Sequence, residues 1–247
     1  MSDNISDLEA DVRKWSWRYR IEPHYTFNES DLEFKVDIDQ VAISYKNPTF
    51  SNYRKSPLTD PKIVFTTNYN NGTNDPQEVA VRVQRTTSAT ARIKMKYGVT
   101  ADNGIGIKLR APPEIDSVFG GYLPIKTEET SDLCHSMTWK YNSKITAAPR
   151  KTTVAKFEVN EERLVCDFST YQRLKGKATV TVIHKVSRRT LETITEDIKT
   201  ILDELLPDAD ETTPPENIIH IRNDAVQWPC RGEIDFTYGL SQNEVVE

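Results

Sequence analysis

Cysteine is scarce in this chain, three residues in 247, and Cys134, Cys166 and Cys230 stand far apart with no CxxC pair. That excludes a disulfide-framework scaffold; three reduced thiols are expected, with one disulfide plus a free thiol as the alternative. His24, His135, His184 and His220 are equally scattered, so no spacing suits a metal site and no metal is expected. No run approaches the roughly 20 apolar residues of a membrane helix. Met1-Ser2-Asp3-Asn4 offers neither a basic start nor an apolar stretch, so no secretory signal is visible. Catalytic signatures are missing as well. There is no HExxH, no GxSxG and no EF-hand loop, and Gly104-Ile105-Gly106 lacks the third glycine of a dinucleotide fingerprint. The expectation is a protein that is not an enzyme and takes no cofactor. A basic excess is missing too: 32 Lys and Arg face 37 Asp and Glu, a net charge of −5. With the basic residues spread along the chain, nucleic acid is not an expected partner.

What is present is alternation. Hydrophobic residues at 37% and charged residues at 28% fit a folded chain, and a mean hydropathy of −0.60 fits one with much surface per residue. Over residues 79–111 the odd positions are mostly apolar or small, from Val79, Val81 and Val83 through Ile93 and Met95 to Ile105, Ile107, Leu109 and Ala111, with Arg85 and Asn103 as the breaks. The even positions carry Arg82, Arg92, Lys94, Lys96, Lys108 and Arg110 among Thr, Ser and Gly. Successive side chains of a strand point to opposite faces, so this period of two is one apolar and one polar face. Globular strands are usually about 3–10 residues long; a run of this length predicts a very long hairpin arm. Pro112-Pro113 ends it, and residues 115–125 are the expected return leg.

Elsewhere, Leu8, Val12 and Trp15 at helical spacing behind Ser6-Asp7-Leu8-Glu9 predict a short amphipathic helix over 6–19 with a capping box. Trp15, Trp17, Tyr19, Tyr25 and Phe27 form an aromatic cluster. Aromatics of this kind pack a core, or form an amphipathic patch that docks on lipid, a receptor or a glycan. Strands are expected over 32–45 with a slip, 63–67, 137–147, 153–159, 164–168 and 177–186, with a Pro- and Asn-rich loop between the first two. After Ser187 the spacing of Leu191, Ile194, Ile198, Ile201, Leu202 and Leu205 predicts a second amphipathic helix ended by Pro207. Residues 208–215 read as an acidic linker, 218–221 and 234–238 as short closing strands, and 242–247 as a frayed tail. The fold class is mainly β: elongated antiparallel sheets of long strands, a short N-terminal helix and one amphipathic helix in the C-terminal half.

The order of these features resembles the aerolysin-type β-pore-forming proteins, in the epsilon-toxin and mosquitocidal-toxin branch. The resemblance covers about 64–179. It is carried by Phe65-Thr66-Thr67-Asn68, Gln77-Glu78-Val79, Thr86-Thr87-Ser88-Ala89-Thr90, a Gly-bearing amphipathic segment, Thr138-Trp139-Lys140-Tyr141-Asn142-Ser143-Lys144-Ile145 and the proline-led Ala148-Pro149-Arg150-Lys151-Thr152-Thr153-Val154-Ala155. It implies a soluble monomer that binds a target-cell membrane through a surface receptor (glycan, lipid or protein), forms a homo-oligomer and inserts one β-hairpin per subunit into a shared barrel. It implies a secreted or released protein, with cytoplasmic storage before release given that no signal is visible. The implied organisation is an aromatic-rich receptor- or membrane-binding part at 1–62, a pore-forming module at 63–186 with its insertion hairpin at about 99–127, and a helix with closing strands at 187–247. Docking falls to Trp15, Trp17, Tyr19, Tyr25 and Phe27. In the hairpin Ile105, Ile107, Leu109, Ile115 and Phe119 would face lipid, and Gly104, Gly106, Lys108, Arg110 and Asp116 the lumen. A non-lytic glycan-, lipid- or protein-binding protein on the same scaffold is the rival expectation.

Overall fold

The computed structural model describes residues 5–58, 60–101, 107–119, 121–125, 130–205, 218–222 and 225–247. Its spine is one strand, β10 (Thr152–His184), 33 residues long. At about 3.3 Å per residue such a strand reaches on the order of 100 Å. Along one side β10 pairs antiparallel with β13 (Ala225–Val246). It also pairs in turn with β5 (Lys62–Asn70), β4 (Thr49–Pro57), β3 (Val41–Tyr45) and β2 (Leu32–Asp37). Near its end it is joined by β11 (Thr190–Asp197). On β13 lies β6 (Gln77–Thr100), and on β6 lies β9 (Thr130–Ala147), register Gln77↔Ala147 to Lys94↔Thr130. Two short strands complete this sheet: β1 (Ile5–Asp7), parallel to β6, and β12 (His220–Arg222) on β13. A separate two-stranded sheet joins β7 (Ile107–Arg110) to β8 (Tyr122–Ile125).

The inward face of β10 changes parity along its length. Thr153, Ala155, Phe157 and Val159 are buried at one end, then Leu164, Cys166, Phe168, Thr170, Gln172 and Leu174. The change falls where the ladder to β13 slips, between Asn160 and Glu161, as a bulge requires. Two cores result. In the smaller, the β6–β9 hairpin closes over β10, with Phe157 4.9 Å from the Tyr141 ring and 5.7 Å from Phe65. In the larger, helix α1 (Leu8–Ser16) and helix α3 (Ile198–Leu205) bury Leu8, Val12, Trp15, Ile198, Ile201 and Leu202 completely against the sheet.

The expected long arm is present as β6 only as far as Thr100, its residues 107–110 forming β7 in the separate sheet, and the strand expected at 137–147 is the later part of β9. Several expectations are corrected. Asp7, not Ser6, caps α1, accepting from the Ala10 amide at 3.1 Å, and a π-turn continues the helix over Trp17–Ile21. Much of the expected Pro- and Asn-rich loop is the strand β4, an exposed edge where polar residues meet water without cost. The separate strands at 153–159, 164–168 and 177–186 are one strand. The first part of the second predicted helix is β11, because Thr190, Thr193, Thr195 and Ile194 are β-branched and pair along β10; only Ile198–Leu205 is helical. The tail is not frayed: Gln242 to Val246 pair with β10. The acidic linker lies outside the described residues.

Candidate functional site

The site is built where β6 leaves the sheet. Its pairing with β13 ends at Tyr97↔Arg231. Gly98 follows at φ +149, where an added Cβ would sit 2.8 Å from Gln172 Oε1, so only glycine lets the chain pass. On the β13 edge Val99 then has a side chain in place of a strand neighbour. Its amide donates to Gln172 Oε1 at 2.7 Å and its carbonyl accepts from Gln172 Nε2 at 2.7 Å. Gln172 is fully buried and also donates to the Tyr45 hydroxyl at 3.1 Å. Burial, then the neighbouring Cys230, pushes the Tyr45 phenol far above its usual range, so the hydroxyl stays neutral and available. Replacing Gln172 with leucine leaves a buried amide and carbonyl unpaired. We expect a loss on the order of 2–4 kcal/mol, read as a lowered denaturant midpoint.

Beyond this clamp the chain forms a tongue. β7 and β8 pair Ile107↔Ile125 to Arg110↔Tyr122. Between them a turn closed by Ala111 N to Gly121 O at 3.0 Å holds a short helix, α2 (Asp116–Phe119). Leu109, Ile115 and Leu123 are fully buried in the larger core, while Arg110, Asp116 and Tyr122 are exposed. β7 lies against β3. Glu114 at the tip accepts a hydrogen bond from Tyr53 of β4; burial, then the Glu114 charge, pushes that phenol up to about 12. The tongue is thus apolar inward, polar outward and joined to the main sheet by no backbone ladder among the described residues.

The expected hairpin residues divide accordingly. Leu109 and Ile115 are brought together beneath the tongue, and Arg110 and Asp116 lie outside it. Ile107 and Lys108 are consecutive positions of β7. Phe119 ends α2, so the expected return leg 115–125 is extended only over Tyr122–Ile125 in this state; the turn bonds of the tip compete with strand pairing there. Gly104, Ile105 and Gly106 fall outside the described residues. Of the aromatic cluster, Trp15 is fully buried and donates from its indole to Glu204 at 2.7 Å. Trp17, Tyr19, Tyr25 and Phe27 are half-buried around the same core, Tyr25 stacked on Phe27 at 6.2 Å and Phe27 5.2 Å from the His184 ring. Gln172 and Gly98 were missed in sequence. The available signals were a polar residue in the inward register of β10 and a glycine breaking the period of β6.

All three cysteines are free thiols, Cys134 exposed and the others buried. Among the described residues no group of side chains suits a metal ion. No described helix is long and apolar enough to cross a membrane, which leaves membrane strands open.

No protein-family model matches this chain, and no curated protein matches it in sequence. Solved structures do. A crystal protein of Bacillus thuringiensis described as non-toxic aligns over 98% of this chain and 97% of its own, at 13% identity and a TM-score of 0.52. The parasporin-2 toxin of the same species, described as recognising cancer cells, aligns over 97% and 94% at 11% identity and 0.43. The β-pore-forming protein Mpp75Aa1.1 of Brevibacillus laterosporus aligns over 99% and 90% at 13% identity and 0.42. The end-to-end likeness to the first is a likeness of fold, and with the strand order above it identifies this chain as having the mainly-β, long-strand fold of the aerolysin type.

Proposed function

We propose that this protein binds a target-cell membrane, oligomerises and inserts the tongue as a β-hairpin in a shared barrel. The observation that carries the reading is a conflict of registers. Paired residue numbers sum to 224 throughout the β6–β9 ladder and to 232 in β7–β8. The folded tongue is therefore eight residues out of step with the hairpin that bears it. Continuing the β6–β9 register through the tongue sets Lys108 opposite Asp116 and Arg110 opposite Glu114, around a three-residue Ala111-Pro112-Pro113 loop. It sets Leu109 opposite Ile115 on the other face. Opposite charges across a ladder stabilise it and like charges oppose it; the folded register instead pairs Arg110 with Tyr122 and Lys108 with Pro124. One leg from Val99 to Arg110 exceeds the roughly 9–11 residues that span a bilayer, and a closed barrel leaves no backbone group unpaired in lipid. The apolar face that would meet lipid is the one now covered by the core. Docking is assigned to Trp17, Tyr19, Tyr25 and Phe27, the half-exposed members of the aromatic cluster, since amphipathic rings suit the headgroup level.

The test locks the folded register. Arg110→Cys with Tyr122→Cys, in a Cys134→Ser background, joins directly paired residues of β7 and β8. Calcein release from phosphatidylcholine–cholesterol vesicles and haemoglobin release from erythrocytes should be abolished in the oxidised protein and restored by reductant. Equal release before and after reduction would remove the tongue as the inserting element. A second reading is a non-lytic binder of glycan, lipid or protein on the same scaffold. It is favoured by the description of the B. thuringiensis crystal protein as non-toxic, and it predicts membrane sedimentation without release in every variant.

A further inference from the structure

The backbone at the base of the tongue carries a second contact. β1 pairs parallel with β6 as Ile5↔Gly98, Ser6↔Val99 and Asp7↔Thr100. Val99 has its amide and carbonyl turned to Gln172. Gln172 belongs to β10, which lies beyond β13 from β6. Along a strand the backbone groups of successive residues point to alternate edges, so Gly98 and Thr100 offer theirs to the opposite edge, where β1 lies. The Thr100 hydroxyl donates to the Ser6 carbonyl there at 3.2 Å. That edge is also the one β9 uses, since β13 and β9 both pair with β6 over 90–94 and must flank it. Among the described residues the β9 ladder runs as far as Lys94↔Thr130, and the next strand on the same edge is β1.

We propose that β1 is a built-in competitor for the edge through which the β6–β9 hairpin must zip, so that the hairpin lengthens only when β1 leaves. The inference rests on the insertion reading for its purpose, though not for its geometry. In the continued register Gly98, Val99 and Thr100 would pair with Lys126, Ile125 and Pro124, and each place is taken by Ile5, Ser6 or Asp7. β1 runs without a break into α1, whose cap is Asp7, and α1 continues through the turn that carries Trp17 and Tyr19. Movement of that aromatic segment on docking would draw β1 off the edge. Surface binding and release of the tongue are thereby one event, and a subunit that has not docked keeps its hairpin short. A free strand edge pairs with whatever strand it meets; β1 also keeps it from pairing prematurely with another copy.

The experiment measures zipping without a membrane. Thr100→Cys with Pro124→Cys, in a Cys134→Ser background, meet only in the lengthened hairpin, and their rate of disulfide formation under mild oxidant reports how often it forms. Adding Ser6→Pro, which removes a ladder donor from β1, should raise that rate about fivefold, the ratio one net backbone hydrogen bond implies; thermal melting checks that the fold persists. In a second protein Asp7→Cys with Thr100→Cys welds β1 to the edge, adjacent-strand partners lying within disulfide reach, and dye release should wait for reductant. An unchanged trapping rate with Ser6→Pro, or release by the welded protein as fast as by its reduced form, would overturn the inference. A raised trapping rate in a protein that releases no dye would uphold the edge competition and sink the insertion reading alone.

Discussion

Ile107→Asp should abolish dye release, while Lys108→Asp, one residue along β7, should leave it nearly intact. The two positions fall on opposite faces of a strand. In the proposed continued hairpin the first would meet lipid, where a charge near mid-bilayer costs about 2–4 kcal/mol for Arg or Lys and less for Asp. A ring repeats that cost in every subunit, so even a modest value per chain removes the assembled pore. The second position would line water there, and its reversal from cation to anion should shift ion preference towards cations. It also sets the introduced carboxylate opposite Asp116 in the continued register, and that like-charge pair should slow insertion slightly. Single-channel currents and vesicle release, with thermal melting as the fold control, separate the outcomes. Equal effects at both positions would mean that the alternation is an ordinary half-buried sheet.

Gly176→Ala should be the most damaging single-methyl addition in the spine. Gly176 lies at φ +125, and a Cβ there would meet the Gln40 carbonyl oxygen at 2.0 Å. Neither the torsion nor the backbone neighbour yields cheaply, because Gly176↔Val41 is the first rung of the β3 ladder. A loss on the order of 3–5 kcal/mol follows from strain combined with a displaced strand, a large share of a domain's total stability. Gly72→Ala is the control: nothing lies within 4 Å of its Cβ position, and its effect should stay within about 0.5 kcal/mol. Denaturant midpoints measured side by side test the pair.

Residues reveal unevenly what they build. β6 was legible because one face of it is buried over most of its length, and the period of two survives wherever that holds. β10 came through as fragments because its inward face changes parity near Asn160, and a parity change reads as a break. β4 was hidden for a different reason. It is exposed on nearly all positions, so nothing in its composition separates an edge strand from a loop, and Asn52 at φ 54 adds a bulge signal of its own. β11 was read as helix because Leu191, Ile194 and Ile198 sit at helical spacing, and pairing of Thr190 to Asp197 with β10 overrode it. For the candidate site, the amphipathic sequence of the tongue was visible. Its α2 tip, the Gln172 clamp and the β1 contact were not, since each depends on groups brought together from distant parts of the chain.

The strand order has a consequence for how the protein is made. β13, the last long strand in the sequence, lies in the sheet between β6 and β10. During synthesis β6 and β9 can pair as a hairpin, but β2 to β5 cannot reach their final neighbour until β10 has emerged, and β6 lacks its other long neighbour until β13 has. The two halves of the sheet then wait for residues 225–246 to be fitted between them. Chains dominated by such distant pairings fold slowly, and edges left open in the interval invite association. A nascent chain stalled before Ala225 should therefore hold a formed hairpin and a formed β10 array with no strand ladder between them. Full protection of the spine should arrive only once β13 has emerged from the ribosome.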